Sequence, residues 1–315
     1  SPALVRDGLV FAGGWKQDGY INSLVRALDL RTGKTVWEAA VSSAQMEQTM
    51  FGELGREPFA SFLAEKDGVL YYLSNLGAVA AIESRSGEVL WVTAYDYIKP
   101  PPTIGRYPRM RELHWGLNSP LLIGHVLVVA PRDSQYLLAI DTGCGPHGAG
   151  RAGEILWTYD NSAGDFRDLL GAHQGKLYFS GRDGIFALDI SSLDTAGELP
   201  GRKVRSIPAG RGKAAGSDGT LDRLARLPQV SRTGSPLVWE PDSIKARGLL
   251  TSSGVLYASG GQLETVSFDL RKRLRLLSRE SVAGRLFQGG SAHIGGGQII
   301  ISSQSWLSAF GGPTF

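Results

Sequence analysis

The 315-residue chain has one cysteine, Cys144, so no disulfide can form within it. That scarcity leaves the compartment open, because large β domains fold without disulfides on either side of a membrane. No apolar run approaches the ~20 residues of a helical membrane span. No basic leader followed by an apolar stretch precedes Ser1. The net charge of +3 is too small for the concentrated basic face of a nucleic-acid binder. Neither a His-Glu-x-x-His pattern nor a Ser/His/Asp phrase occurs, and the glycine-rich stretch 142–153 neither ends in Lys-Ser/Thr nor carries a Gly-x-Gly-x-x-Gly that opens a helix.

Glycine is what the chain has in excess: 42 residues, well above the usual share of ~7%. The glycines are scattered, as many tight β turns require. Several follow a polar residue and precede an apolar run, as in Asp7-Gly8-Leu9-Val10-Phe11 and Asp67-Gly68-Val69-Leu70-Tyr71. Such a pair supplies the positive φ of a hairpin turn. Gly124, Gly175, Gly254 and Gly297 mark the same phase further on, at irregular intervals.

A second phrase follows each hairpin. Leu24 to Val41 reads as a strand ending Ala27-Leu28-Asp29, a turn at Arg31-Thr32-Gly33, and a strand carrying Trp37. It returns as Ala81-Ile82-Glu83, Gly87 and Trp91, then as Ala139-Ile140-Asp141, Gly153 and Trp157. Ala187-Leu188-Asp189 keeps the first half, and Ser267-Phe268-Asp269 is a degraded copy. A four-strand unit repeated at this spacing predicts an all-β fold, a β-propeller of four-stranded blades carrying insertions. Five complete blades and one partial blade are visible, so a ring of six to eight is expected, in a single domain over 1–315 that is incomplete at one or both ends. Continuous apolar runs such as Leu121-Leu122-Ile123 suit sheets packed on both faces.

Ala-x-Asp-x-x-Thr-Gly-x-x-x-Trp, complete from Ala27 to Trp37 and nearly so from Ala81 to Trp91, resembles the PQQ-like (pyrroloquinoline-quinone-like) propeller repeat. That family holds quinoprotein alcohol dehydrogenases as well as outer-membrane assembly factors, so the resemblance specifies fold more than function. It implies that Trp37, Trp91 and Trp157 pack between adjacent blades. It further implies that Asp29, Asp141, Asp189, Gly33 and Gly87 belong to the structural repeat. The localisation it implies is periplasmic or extracellular, at a bacterial envelope.

Individuality lies in four insertions, at 42–58, 96–118, 142–153 and 191–233. The first spaces Met46, Met50 and Leu54 for a short helix on one rim. The second combines the run Pro100-Pro101-Pro102 with Tyr97, Arg106, Tyr107, Arg109, Arg111 and Trp115. Aromatics and arginines are what interface hot spots favour, so this stretch is the candidate contact surface; a loop folded back over the ring mouth is the alternative. In the third, Cys144 and His147 do not fill a tetrahedral metal site, and a glycine-rich exposed turn is the better reading. The fourth is net basic and longer than ordinary connections; a solvated loop is preferred over a site for acidic partners or lipid heads.

A quinoprotein dehydrogenase needs a roofed seat for a flat cofactor, a Ca²⁺ held by oxygen ligands and a catalytic Asp. The adjacent-cysteine disulfide that commonly roofs the ring in that family cannot form here. His173 and His293 occupy similar phases; lone hydrogen-bonded histidines are preferred over a channel-facing pair that binds a metal or a carboxylate. The sequence therefore predicts a non-catalytic protein-binding or scaffolding module, with no cofactor, no metal and no nucleic-acid partner. The alternatives are a quinoprotein oxidoreductase and a subunit that assembles by strand donation.

Overall fold

The computed structural model describes residues 3–44, 62–98, 113–144, 151–162, 164, 166–173, 175–181 and 184–190, together with the backbone of eight strands between 229 and 310. The described residues are β strands and their connections. The strands form six antiparallel meanders.

The first blade is β1 (Leu4–Arg6), β2 (Leu9–Asp18), β3 (Tyr20–Asp29) and β4 (Thr35–Ala44). The second is β5 (Leu63–Lys66), β6 (Val69–Leu73), β7 (Ala78–Glu83) and β8 (Val89–Ala94). The third is β9 (Leu121–Ile123), β10 (Val126–Val129), β11 (Tyr136–Asp141) and β12 (Ile155–Asp160). These twelve strands belong to one compact unit, and the remaining strands to another. The second unit holds the four-stranded sheets β13 (Phe166–His173), β14 (Lys176–Gly181), β15 (Gly184–Asp189), β16 (Gln229–Val230) and β17 (Leu249–Leu250), β18 (Gly254–Ser259), β19 (Gln262–Ser267), β20 (Arg273–Leu276). It also holds the three-stranded β21 (Ser291–Gly295), β22 (Gln298–Ser302), β23 (Leu307–Phe310). β16 falls inside the stretch that the sequence assigns to the fourth insertion. Its two residues pair with Ala187 and Leu188, too short a strand to leave a period-2 signature.

The continuous apolar runs are explained by two-sided burial. Leu70 and Tyr72 on β6 join Phe11, Val25, Ala27 and Trp37 of the first blade in one core cluster. Tyr71 and Leu73, facing the other way, join Leu127, Val129, Leu138 and Ile140 of the third blade in the next. Alternate residues of one strand thus bury against opposite neighbours, which is why polar alternation is missing.

The Ala-x-Asp…Trp phrase has one geometry in all three blades. Ala27 pairs with Trp37, Ala81 with Trp91 and Ala139 with Trp157, each pair followed by a register shift. The small alanine leaves room on its face for the indole opposite, and the bulge re-aims the outer strand. Trp37 is 9% exposed and its Nε1–H donates to the Ser84 carbonyl in the next blade at 3.0 Å. Its ring lies over Gly87, where φ is +77° and an added Cβ would sit 2.6 Å from the indole. Only glycine satisfies both conditions. Trp91 lies over Gly153 in the same way, and Thr93 Oγ1 donates to the Gly153 carbonyl at 2.6 Å. Trp157 is buried at 4% exposure.

Candidate protein-binding surface

Strand register sorts the connections of the first unit into two sets. At one end lie the hairpin turns at Asp7-Gly8, Asp67-Gly68 and Gly124-His125, with the turns after Asp29, Glu83 and Asp141. Asp29 Oδ1 accepts from the N–H and the hydroxyl of Thr32, both at 2.7 Å. Those bonds, the hydroxyl first, hold the Asp29 carboxyl below its ordinary value. Glu83 does the same work with Ser86 and is likewise lowered. In the third blade Gly143 N–H donates to Asp141 Oδ1 at 2.8 Å, and the third insertion follows. Cys144, at its edge, is exposed. Tyr71 nearby is pushed up to about 12, by burial first and by Cys144 second. Asp189 closes β15 opposite Lys176.

At the opposite end lie the β2–β3, β6–β7 and β10–β11 turns. The pairs Ile21–Ala44 and Ala78–Ala94 put the exits of β4 and β8 there too. The first two insertions, 42–58 and 96–118, therefore begin beside these turns.

The β2–β3 hairpin stands out at this end. It carries ten cross-strand pairs, from Leu9–Asp29 to Asp18–Tyr20, against five in β6–β7. Five further rungs add roughly 17 Å of length at the usual rise. Two large aromatics are exposed on that extension, Trp15 at 48% and Tyr20 at 58%. Below them Ser23 and Tyr72 share a buried hydrogen bond of 3.0 Å that ties the hairpin to the second blade. Burial also raises the Tyr72 hydroxyl, the Ser23 bond opposing it.

Tyr97 is the third exposed aromatic at this end, at 47%. Its ring covers Gly77, whose φ is +74° and where a Cβ would lie 3.1 Å from Tyr97 Cδ1. Behind it, Tyr95 donates its hydroxyl to Asp133 Oδ1 at 2.7 Å and the Gly77 N–H donates to Asp133 Oδ2 at 2.9 Å.

Of the contact residues expected from sequence, Tyr97 is thus exposed and Trp115 is buried at 2% exposure. Arg106, Tyr107, Arg109 and Arg111 lie outside the described residues, as do the proposed helix around Met46 and Met50, and His147. Trp15 and Tyr20 were not among those expected residues. The usable signal was Asp18-Gly19, a second hairpin pair only eleven residues after Asp7-Gly8, which implies one long hairpin. Among the described residues, no three His, Cys, Asp or Glu side chains gather as a metal-ligand set. No helix among them is long and apolar enough to cross a membrane.

Repeated four-stranded antiparallel blades, joined by a Trp-on-Gly contact, define a β-propeller repeat protein. The chain belongs to the family described as outer membrane protein assembly factor BamB, which it matches over residues 21–309. No curated protein matches it. Among solved structures it is similar to BamB from Moraxella catarrhalis, at 14% identity over 93% of this chain and 82% of that one, with a TM-score of 0.41. It is also similar to the quinohemoprotein alcohol dehydrogenase from Comamonas testosteroni, at 14% identity over 62% of this chain and 33% of that one, TM-score 0.34. The computationally designed Ika4 protein matches 56% of this chain and 88% of its own, at 13% identity and a TM-score of 0.33. The chain spans about a third of the dehydrogenase's length.

Proposed function

We propose that the chain is a non-catalytic protein-binding or scaffolding module of a bacterial envelope or extracellular assembly, and that the hairpin end of the first unit is its contact surface. One observation carries this reading: Trp15, Tyr20 and Tyr97 are exposed together at the end from which the two insertions leave. Large exposed aromatics are what binding hot spots use, and here they stand on paired strands and a packed turn. The basic and aromatic stretch with Arg106, Tyr107, Arg109 and Arg111 continues that surface in sequence. Membership of an assembly-factor family supports protein partners and an envelope location.

The test is purification from the native source under mild conditions, with mass spectrometry of what stays bound. A protein recovered by the wild-type chain and lost from a Trp15→Ala/Tyr20→Ala/Tyr97→Ala chain is the expected result. Hot-spot truncations of this kind typically cost about 2 kcal/mol or more each, a loss easily read in recovery. Undiminished recovery by the triple variant removes this surface from consideration. A bound quinone at one per chain would instead favour an oxidoreductase.

A further inference from the structure

We infer that the edge of β2 beside Trp15 and Gln17 takes up an extended segment of a protein partner as an added strand, continuing the β1–β2 ladder. The inference deepens the binding reading above and rests on it.

The first blade is unequal along its length. β1 pairs with β2 from Arg6–Leu9 to Leu4–Phe11, whereas β3 follows β2 as far as the pair Asp18–Tyr20. On the other side of β3, β4 runs on to the pair Ile21–Ala44. The far part of the blade is therefore a three-stranded ribbon in which β2 extends past β1.

Register gives the direction of each backbone group. Arg6 and Leu9 flank a two-residue turn, so Leu9 exchanges its hydrogen bonds with β1. The Leu30 N–H donates to the Gly8 carbonyl at 2.8 Å, on the β3 side. Even-numbered residues of β2 thus turn their backbone groups to β3, and odd-numbered residues turn theirs away from it. Trp15 and Gln17 are odd, and no described strand pairs with them on that side. Two N–H and two C=O groups point outward there, the template with which an incoming strand pairs.

The side chains suit such a guest. Trp15 stands opposite Ser23, whose hydroxyl bonds Tyr72, so the half-exposed indole is on the face of the ribbon towards the second blade. An added strand sets alternate side chains beside that ring. The partner is thus a segment free to extend, with a β-branched or aromatic residue next to Trp15. Gly14 is an independent sign. Its backbone is not left-handed, and an added Cβ would meet nothing closer than Leu24 Cδ1, at 3.9 Å. Neither conformation nor crowding within the described residues calls for glycine there. A glycine inside a strand often marks the close approach of another backbone.

The probe is a display library of random ten-residue peptides, panned against the full chain. Gln17→Pro removes one outward N–H and spares the β3 ladder, to which that N–H does not point. Gln17→Ala keeps the N–H and removes the side chain. Selected peptides should bind the wild-type chain and Gln17→Ala alike. They should bind Gln17→Pro about fivefold or more weakly, as loss of the partner of a backbone carbonyl implies. On binding, amide exchange should slow at Trp15 and Gln17 and stay unchanged at Lys16, which β3 already protects. Equal affinity for Gln17→Pro overturns the inference, and so does a library that yields no binder. Slow exchange at Trp15 and Gln17 in the isolated chain overturns it too, because the edge is then covered by the chain itself or by a second copy. If Gln17→Pro does not fold, the exchange pattern of the wild-type chain decides. Recovery from native extract judges the surface reading separately. Loss with the aromatic triple variant but not with Gln17→Pro removes strand addition and leaves the contact surface standing.

Discussion

At one end of the β1–β12 sheets three blades repeat a single device; at the other end no two blades agree. The repeating end has an acidic residue capping a turn and a glycine at positive φ in each blade, and in the second and third blades an indole arriving from the blade before. Each part is small and local, and each needs one residue type. The opposite end has a ten-rung hairpin in the first blade, a glycine-centred turn under Tyr97 in the second, and the Asp133 turn in the third. A repeat must join blade to blade by the same contact every time, so that end is constrained. The other end has no such duty, and partner-specific chemistry can accumulate there.

The comparison is broken most directly at the indole. Trp37→Ala should destabilise the protein by about 3–5 kcal/mol, since a nearly buried ring that fills an inter-blade seat is lost. Urea denaturation measures this, and a loss below about 1 kcal/mol would mean the blades do not rely on the contact. Gly87→Ala attacks the same seat from the other side. Its methyl meets Trp37 within 2.6 to 2.9 Å and its backbone sits at φ +77°. Strain plus displacement should cost about 2–4 kcal/mol, with a red-shifted tryptophan emission as the ring is expelled. In a double variant with Trp37→Ala the displacement part of that cost should vanish, because the colliding partner is gone, while the strain of alanine at positive φ remains.

Much of the repeating end was legible in the sequence. Ala27, Asp29, Thr32, Gly33 and Trp37 lie within eleven residues, and each type reports its own local geometry. The same signals carried the four-stranded antiparallel sheets and the family. What escaped was long-range. Asp133 meets Tyr95 and Gly77 across 38 and 56 residues, and no periodicity marks such a residue. Trp115 read as a surface aromatic because polar and charged residues surround it, yet it packs inside. Composition describes neighbours in sequence, whereas burial depends on neighbours in space.

Tyr72→Phe tests the seam between the two ends. The ring stays in its core cluster, but Ser23 loses its partner at 2% exposure. About 1 kcal/mol is expected from a buried neutral hydrogen bond, read as a lower urea midpoint with an unchanged slope. Trp15→Ala and Tyr20→Ala should by contrast move stability by less than about 0.5 kcal/mol each, as exposed positions do. A cost above 1 kcal/mol at either would place it in the fold rather than at a contact surface.

The smallest effect is at the turn cap. Thr32→Ala removes the hydroxyl that does most to lower the Asp29 carboxyl, leaving the two backbone donors. The folded value lies below the unfolded one, so the stabilisation linked to Asp29 is present above the unfolded carboxylate range and fades as pH falls through the folded value. Titration of the Asp29 side chain by carbon NMR should show an upward move in Thr32→Ala, towards the ordinary value. Acid unfolding should then be slightly less steep in the variant, since less carboxylate stabilisation remains to be lost. An unmoved Asp29 would mean that the backbone N–H of Thr32 suffices, and that threonine is required at this turn for its shape beside Gly33 rather than for its hydroxyl.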